Sequence, residues 1–262
     1  MLLQAGETAV FMKTNSNRNI VIGIQPVKEA IDSGKTIDKL LFKKGVKSDA
    51  FTEISSQARK LDVPMQYVPS QRLDKITGKN HQGVIAFISP IEFQDLENVV
   101  SMAFDAGENP LIVLLDGVTD VRNFGAIVRS AECLGAHAVV IPQKEAAAIN
   151  EAAIKSSAGA ILKMNICREK SLSESCKALK NSGLQIISCT EDEKTPLWSH
   201  DLTIPCCLIL GAEGEGVSRD VLGLCDAGVH IPMSGSVQSL NVSVAAGIVL
   251  SEVARQRFNF NV

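Results

Sequence analysis

The sequence lacks any long apolar run. No stretch of the 262-residue chain approaches the ~20 consecutive apolar residues that a membrane-spanning helix needs. The start of the chain also lacks the basic residues and apolar core of a secretion signal. We therefore expect a protein that is neither membrane-anchored nor secreted, with segment 1–17 as a disordered extension. A hydrophobic content of 45% can still fill a sizeable core.

Metal-binding cysteine patterns are missing as well. The chain has no C-x-x-C pair and no histidine at zinc-finger spacing from a cysteine, so we expect no metal. Buried, reduced thiols that pack as small hydrophobic residues are the natural interpretation, and they fit a cytoplasmic protein. All seven cysteines lie in the second half of the chain: Cys133, Cys167, Cys176, Cys189, Cys206, Cys207 and Cys225.

The chain as a whole has no excess of positive charge, because its net charge is −3. The charges are nevertheless unevenly divided. Segment 13–88 has 13 Lys and Arg against 7 Asp and Glu, a net of +6, and the other residues have 13 against 22, a net of −9. A basic module joined to an acidic one suggests that the first module binds a polyanion. Chance clustering of solvated lysines is the alternative.

Residues 18–90 have the pattern of a small α/β domain. Short apolar, β-branched runs predict strands, and amphipathic runs predict helices. The predicted strands are 37–42, 63–68 and 84–88, and the predicted helices are 27–31 and 48–61. Pro90 ends the domain. The next segment, 91–109, is acidic and contains turn-forming residues, so we expect a linker there.

Residues 110–262 alternate between continuous apolar runs and helical patterns. This alternation predicts a mostly parallel sheet with helices on both faces, in which ligands bind at the carboxyl ends of the strands. A last helix is predicted over 241–257. The strand-like runs are 111–116, 137–142, 161–167, 184–190, 204–210 and 227–233.

The first candidate motif, DGVTDVRNFGAIVRSAECLGA at 116–136, follows the first of these strands. A helix from about residue 124 would have an apolar face, with Arg129 projecting from the opposite side and Asn123 at the N-cap. A capped helix with a solvated arginine is the ordinary alternative. The pattern alone therefore marks Asn123 and Arg129 only as candidates.

The second motif, LILGAEGEGVS at 208–218, places three glycines between a strand and a helix that begins near Ser218. Glycines at such a turn allow the backbone to approach a ligand closely. The spacing is not that of a dinucleotide fingerprint, and Glu213 and Glu215 would repel a pyrophosphate. A positively charged ligand without phosphate, such as S-adenosylmethionine, suits this loop better; a tight strand-to-helix turn is the alternative.

The third motif, IPMSGSVQSLNVSV at 231–244, leads from a strand through a loop of small residues into the last helix. Ser239 or Asn241 marks the start of that helix. Either side chain could cap the helix or reach a substrate. The small residues at 245–247 give the helix a smooth surface that suits packing against another subunit.

These three motifs, in this order over about 110–258, closely resemble the SpoU/TrmH branch of the SPOUT superfamily, whose members are RNA ribose 2′-O-methyltransferases. The resemblance implies a C-terminal trefoil knot, S-adenosylmethionine as methyl donor, and a homodimer with sites completed near the subunit interface. The matching positions are Asn123, Arg129 and Ala131 in the first motif, Gly211, Glu213 and Gly216 in the second, and Ile231, Pro232, Met233, Ser239, Leu240 and Asn241 in the third.

The amino-terminal module has a resemblance of its own. IGIQPVKEAI at 22–31 and NHQGVIAF at 80–87 are similar to the L30e-like substrate-binding extension of the 23S rRNA guanosine 2′-O-methyltransferases. Gln25 departs from the histidine often found in those proteins, which leaves the RNA target less certain. We expect Arg18, His81 and Gln82 to contact RNA; a hydrogen-bonded turn before a strand is the alternative for the last two.

The resemblance also implies roles for the site residues. Arg129 is the catalytic candidate, and Asn123, Glu213, Ser239 and Asn241 organise the site. Because a guanidinium has a pKa above ~12, we favour phosphate binding and stabilisation of the 2′-alkoxide by Arg129 over proton removal. The expected cofactor contacts are Leu210, Gly211, Gly216, Ile231, Met233 and Leu240.

Three rival functions are weighed against this one. A tRNA ribose methyltransferase of the same fold is disfavoured by the amino-terminal module. A noncatalytic RNA-binding or ribosome-assembly protein is disfavoured by the intact motif residues. A nucleotide-dependent oxidoreductase is disfavoured by the glycine spacing. We expect RNA as the partner, and neither DNA nor a membrane.

Overall fold

The computed structural model describes residues 20–46, 48–236 and 239–258. Two sheets organise these residues, one with four strands within 20–88 and one with seven strands within 111–230. The predicted extension at 1–17 lies outside the described residues. In the part of the chain that is described, no helix is both long and apolar enough to cross a membrane.

The four-stranded sheet belongs to the amino-terminal domain. Its strands follow the order β1-β4-β2-β3, in which β4 is antiparallel to both neighbours and β2 is parallel to β3. Strand β1 and helix α3 were not predicted from the sequence, because both are very short. The elements are β1 (Ile20–Ile22), α1 (Ile24–Asp32), β2 (Ile37–Lys43), α2 (Asp49–Lys60), β3 (Met65–Val68), α3 (Ser70–Asp74) and β4 (Val84–Ile88).

The two faces of this sheet are packed differently. Helices α1 and α2 cover one face, where Phe42 and Ile54 are buried. Alternate residues of the strands, including Leu41, point to the other face, because successive side chains of a strand alternate in direction. Among the helices that the structure describes in this domain, the short α3 alone covers that second face, through Leu73. Much of the second face is therefore free to contact the rest of the protein.

The seven-stranded sheet belongs to the carboxyl-terminal domain, and all of its strand pairs are parallel. The order is β7-β6-β5-β10-β8-β11-β9. The helices and strands of this domain are α4 (Leu96–Asp105), β5 (Leu111–Asp116), α5 (Val121–Cys133), β6 (Ala138–Pro142), α6 (Glu151–Ser156), β7 (Asn165–Glu169), α7 (Leu172–Asn181), β8 (Gln185–Cys189), β9 (Thr195–Pro196), β10 (Cys206–Gly211), α8 (Arg219–Leu222), β11 (Ala227–His230) and α9 (Val242–Arg257).

Helices bury both faces of this sheet. Helices α5, α6 and α9 pack on one face, and α4, α7 and α8 pack on the other. Strand β10 lies in the middle, between β5 and β8, although it is made after both of them in the chain. This confirms the predicted α/β class with a mostly parallel sheet and helices on both faces.

Two segments differ from the prediction. Segment 91–109 is not a plain linker, because α4 lies within it and buries Leu96, Val99 and Val100 against the sheet. Its acidic and turn-forming residues are at the ends of the helix, where Asp95 is the N-cap. The strand predicted at 161–167 is also wrong in its first half, because residues Ala160–Leu162 form a 3-10 turn and β7 begins only at Asn165.

The cysteines are all free thiols, but they are not all buried. Cys167, Cys176, Cys206 and Cys207 are buried, and Cys189 and Cys225 are partly buried. Cys133, at the end of α5, is exposed, which corrects the expectation for that residue. An apolar environment is therefore the rule for these thiols, with one exception.

A partly buried ion pair joins the two domains. The guanidinium of Arg168 in β7 lies 3.0 Å from the carboxylate of Asp38 in β2, and it also donates to the carbonyl oxygens of Asp38 and Ile37. The same guanidinium lies over the ring of Phe93, 4.0 Å from its centroid. Burial lowers the pKa of Arg168 and raises that of Asp38, and each charge offsets part of the shift of the other. The pair fixes β2 against the edge strand β7.

Candidate functional site

The site lies where β5 and β10 end side by side. Asp116 and Gly211, the last residues of these strands, are register partners. The carboxylate of Asp116 accepts a hydrogen bond from the backbone N–H of Ser218 at 2.8 Å, which ties the far end of the next loop back to the sheet. The carboxyl edge of a parallel sheet is where ligands bind in this class of fold.

The loop after β10 is a narrow turn closed by its own backbone. Ala212 and Gly216 exchange two backbone hydrogen bonds, of 3.2 and 2.9 Å. A Cβ atom on Gly211 would lie 2.1 Å from the carbonyl carbon of Gly216, so only glycine fits there. Gly214 and Gly216 have positive φ, a conformation that glycine adopts without strain. The loop thereby projects the Glu213 side chain from a fixed backbone.

Helix α5 begins earlier than predicted, and its N-cap is Asp120 rather than Asn123. The carboxylate of Asp120 accepts hydrogen bonds from the backbone N–H groups of Arg122 and Asn123, at 2.9 and 2.8 Å. Asp and Asn are both good N-caps, so sequence alone could not choose between them. Because Asp120 does the capping, the side-chain amide of Asn123 is available for other contacts.

Asn123, Glu213 and Asn241 meet at one point. The Oε1 atom of Glu213 accepts from Nδ2 of Asn123 at 3.1 Å and from Nδ2 of Asn241 at 2.6 Å. Nδ2 of Asn241 also donates to Oδ1 of Asn123 at 3.1 Å. The backbone N–H of Val242, at the start of α9, points to the same Glu213 oxygen at 3.4 Å. We call these three residues the amide–carboxylate junction.

Asn241 has a second task in this arrangement. It is the N-cap of α9, and its Oδ1 atom accepts from the backbone N–H and the hydroxyl of Ser243, at 3.0 and 2.6 Å. The carboxylate of Glu213 at the same helix start is favoured by the positive end of the helix dipole. The junction therefore joins one residue from each of the three sequence motifs.

Arg129 stands apart from the junction. It is exposed on α5, and no hydrogen bond or ion pair holds its guanidinium within the described residues. It lies six residues after Asn123 on the same helix, which places the two side chains about 120° apart around the helix axis, so they do not share a face. A free guanidinium at this position can contact an incoming anion.

A second feature is a small cavity of about 60 Å³ beside the third motif. Four predicted residues, Ile231, Met233, Ser239 and Leu240, contribute to its wall. Sequence reasoning missed its other side, which comes from the end of β8 and the residues after it, from β11 and from α9. The missed residues are Cys189, Thr190, Glu191, Val229, His230, Ala245 and Val249. Cys189 and the residues after it could have been found by applying the strand-end rule to the predicted strand 184–190.

This cavity has the character of a cofactor site. It is largely apolar, and the Nδ1 atom of His230 in its wall is buried without a hydrogen-bond partner in the described part of the chain. A buried polar atom without a partner is unusual, and a bound ligand would explain it. The predicted contacts Leu210, Gly211 and Gly216 do not border this cavity; they form the neighbouring strand end and turn.

The predicted RNA contacts have different outcomes. His81 is buried, its Nδ1 atom accepts from the backbone N–H of Gly83, and its Nε2 atom is 2.9 Å from Asp74, so both ring nitrogens are used within the domain. Gln82 is exposed, but its Oε1 atom accepts from the backbone N–H of Ile24 at the start of α1. His81 thus has the structural role that was the alternative. Arg18 lies outside the described residues.

Comparison with known proteins identifies both domains. Residues 110–251 match the model of the SpoU rRNA methylase family, and residues 20–94 match the RNA 2′-O ribose methyltransferase substrate-binding family. A TrmH family tRNA/rRNA methyltransferase of Staphylococcus saprophyticus is 35% identical over 91% of this chain and 96% of its own length.

Solved structures give the same result. The SpoU methyltransferase AviRb from Streptomyces viridochromogenes, in complex with AdoMet, is 27% identical and has a TM-score of 0.58 over 92% of this chain and 91% of its own. The TrmH/SpoU tRNA modifying enzyme of A. aeolicus is 33% identical, with a TM-score of 0.51 over 62% of this chain and 83% of its own.

The fold and the match of both domains define an RNA methyltransferase. More specifically, the chain belongs to the SpoU/TrmH family and is an S-adenosylmethionine-dependent RNA ribose 2′-O-methyltransferase. Its residues fit that cofactor, because the site offers an apolar cavity, an unpartnered ring nitrogen and a close-packed glycine turn without a phosphate-binding spacing.

Proposed function

We propose that this protein methylates the ribose 2′-hydroxyl of a guanosine in 23S rRNA. The observation that carries the catalytic part is the amide–carboxylate junction, in which Glu213 holds Asn123 and Asn241 together at the carboxyl edge of the sheet. Such a network fixes the ends of α5 and α9 and the glycine loop relative to one another. A methyl transfer needs this rigidity, because the attacking oxygen and the methyl carbon must be aligned.

The chain's own residues divide the work as follows. S-adenosylmethionine, when bound, supplies an electrophilic methyl group on its sulfonium. Ile231, Met233, Ser239 and Leu240 border the cavity that would hold it, and the turn formed by Leu210, Gly211 and Gly216 would bring backbone groups close to it. Arg129, with its free guanidinium, would bind a phosphate next to the target ribose and stabilise the developing alkoxide.

The amino-terminal domain supports RNA as the substrate and favours rRNA. It is similar to a substrate-binding family, and the segment 13–88 has a net charge of +6. A tRNA target is the second candidate, because the A. aeolicus tRNA modifying enzyme is similar to this chain. It ranks second because that similarity covers only 62% of this chain. The presence here of a separate RNA-binding domain, for which we propose an L30e-like fold, favours the larger RNA.

We further propose a homodimer and a trefoil knot, as the family resemblance implies. Exposed apolar side chains near α9 support the dimer: Met233 and Leu240 precede the helix, and Val244 lies in its first turn with half of its surface exposed. The return of β10 to the middle of the sheet supports the knot. The free thiols support a reducing cytoplasm as the place of action.

Methylation in vitro tests the function. The purified full-length protein would be incubated with tritiated S-adenosylmethionine and, in parallel, protein-free 23S rRNA and bulk tRNA. We expect label in 23S rRNA, located at a guanosine 2′-O-methyl by nuclease digestion and mass spectrometry. Label in tRNA alone would replace the rRNA proposal with the tRNA one. Label in neither, with S-adenosylmethionine still bound, would favour a noncatalytic RNA-binding protein.

A further inference from the structure

A large cleft separates the two domains. Its volume is about 470 Å³, far larger than the cavity at the third motif. The second face of the four-stranded sheet and α3 form one wall, and the start of α6 forms the other. Neither the family resemblance nor the catalytic site accounts for this cleft, and its volume falls within the range of about 300–1,000 Å³ that is typical of ligand sites.

Three cationic side chains line the cleft on the side of the small domain. They are Lys39 of β2, Arg72 of α3 and Lys75 just after α3. None of the three forms an ion pair with a residue in the described ranges. Cations that converge on a cleft without carboxylate partners are available to an anionic ligand.

Two carboxylates also border the cleft, and neither forms an ion pair with the three cations in the described ranges. Asp38 is paired with Arg168 at 3.0 Å, so its charge is already neutralised. Glu151 belongs to the opposite wall, in the first turn of α6, where a carboxylate is stabilised by the helix dipole. The cationic wall therefore remains without acidic partners.

The rest of the lining is apolar and includes an aromatic ring. Phe87 of β4 faces the cleft together with Ile76, Ile88 borders it at the end of the strand, and Ile149 and Ile154 contribute from the other wall. The ammonium group of Lys39 lies 4.9 Å from the centroid of the Phe87 ring, so charge and aromatic surface are adjacent. A ligand that fits must combine a flat apolar part with a negative charge.

The walls are held at a fixed separation. Besides the partly buried Arg168–Asp38 pair, Lys170 after β7 lies 2.7 Å from Asp62 after α2. The backbone N–H of Gln94 also donates to the carbonyl of Ile166 in β7 at 2.9 Å. The cleft is thus preformed, and little ordering is needed when a ligand binds.

We propose that the interdomain cleft binds an unpaired nucleotide of the RNA substrate, separate from the one that is methylated. The base contacts the apolar wall beside Phe87, and the flanking phosphates contact Lys39, Arg72 and Lys75. Unpaired bases that stack on aromatic side chains are the usual basis of single-strand recognition in RNA. This inference rests on the proposed function to the extent that the nucleotide belongs to the RNA substrate.

Helix α6 connects the cleft to the catalytic site. Its first residues border the cleft, and its last residue, Ser156, contacts α5 near the junction. A Cβ atom on Gly125 would lie 1.9 Å from the Ser156 hydroxyl, so α5 and α6 are in very close contact. The six residues of α6 span only ~9 Å. A nucleotide in the cleft would therefore be separated from the start of α5 by the length of this one short helix.

Charge reversal in the full-length protein tests the cationic wall. The variants are Arg72→Glu and Lys75→Glu, and the matched controls are Arg59→Glu and Lys60→Glu. Both control residues are exposed on α2, which covers the opposite face of the same sheet. Binding is measured by fluorescence anisotropy with a labelled 12-nucleotide oligouridylate. We expect each cleft variant to weaken binding about tenfold and to reduce the salt slope by about 0.7 for each lost phosphate contact. The controls should leave the slope unchanged.

A neutral variant tests the apolar part. Ala148 is exposed on the α6 side of the cleft, so Ala148→Trp would occupy part of the cleft without changing a charge. Ala106→Trp, at the exposed end of α4, is the control for added bulk. We expect Ala148→Trp to weaken oligouridylate binding at least about fivefold with an unchanged salt slope, and binding of a 12-base-pair RNA duplex to be unaffected.

The outcomes separate this inference from the proposed function. Equal loss in cleft and control variants would mean that charge acts nonspecifically and would overturn the cleft assignment. Equal loss of duplex and single-strand binding by Ala148→Trp would overturn the assignment to an unpaired nucleotide. Failure of 23S rRNA methylation by the unaltered protein, with oligouridylate binding still sensitive to cleft variants, would refute only the proposed function. In an active enzyme, cleft variants should raise KM for RNA and leave kcat nearly unchanged.

Discussion

The carboxylate of Glu213 and the side-chain amide of Asn241 are 2.6 Å apart, although α8, β11 and their connecting loops separate them in the chain. This short contact brings the glycine loop after β10 to the start of the longest helix, α9. The same carboxylate oxygen accepts from Asn123. Glu213 thus has a positioning role that its exposure and its place in a glycine loop would not suggest.

Replacement of this carboxylate should disable the site without unfolding the protein. Glu213→Ala removes the acceptor shared by Asn123 and Asn241, and we expect methylation to fall by about 10²-fold, the scale on which a lost active-site hydrogen-bond partner acts. Glu215→Ala, two residues along the same loop and exposed, is the matched control and should retain activity. Comparable turnover in the two variants would contradict the role of the junction.

The free guanidinium of Arg129 gives a second prediction. Arg129→Lys keeps the charge but loses the planar fork that contacts phosphate at two points, so we expect turnover to fall by about 10²-fold or more with unchanged affinity for S-adenosylmethionine. Arg122→Lys, exposed on the same helix, should be nearly neutral. Single-turnover methylation and calorimetric binding measure the two effects, and a weakened cofactor affinity would place Arg129 in the cofactor site instead.

The partly buried interdomain pair predicts a difference in stability. The side chains of Arg168 and Asp38 are only 14% and 24% exposed, and those of Lys170 and Asp62 are 67% and 52% exposed. Arg168→Met should lower the free energy of unfolding by about 2 kcal/mol, because it leaves a partly buried carboxylate unpaired. Lys170→Met should cost less than about 1 kcal/mol. A double-mutant cycle with Asp38→Asn measures the coupling, and near-zero coupling for the partly buried pair would refute its role in docking.

The thiols predict a pattern of alkylation. Burial raises the pKa of Cys167 and of Cys176 to about 12, so at pH ~8 fewer than about 0.1% of these groups are thiolate, and access is blocked as well. Cys133 is exposed. Iodoacetamide should therefore modify Cys133 first, as peptide mass spectrometry would detect, and Cys133→Ser should abolish rapid labelling of the folded protein. Rapid labelling of Cys167 would imply that the sheet opens readily.

Much of the fold follows from sequence periodicity. The strands at 111–116, 137–142 and 204–210 are predicted almost to the residue, because continuous apolar β-branched runs have few other interpretations. Segment 91–109 is mistaken for a linker because turn-forming residues flank a helix of only 10 residues. The buried face of α4 could have been recognised from its apolar spacing, which the flanking acidic residues obscured.

The residues of the site can be predicted from motifs, whereas their contacts cannot. Asn123, Glu213 and Asn241 can be proposed from their motifs, but their hydrogen bonds depend on the register of β5 and β10, and no local pattern encodes that register. A histidine before a strand can face solvent or cap a turn, and only the tertiary contact with Asp74 shows that the ring of His81 is held within its domain. The interdomain cleft has no sequence signal, since its walls come from distant segments.

The position of β10 has a consequence for how the protein is made. Residues 206–211 leave the ribosome after β5 and β8, yet they occupy the place between those strands. The two halves of the sheet therefore cannot close around each other until the last quarter of the chain has been synthesised. A nascent chain has exposed strand edges until then, and closing such distant contacts is slow. Completion of the sheet, and with it of the catalytic edge formed by β5 and β10, therefore waits for the late strand β10.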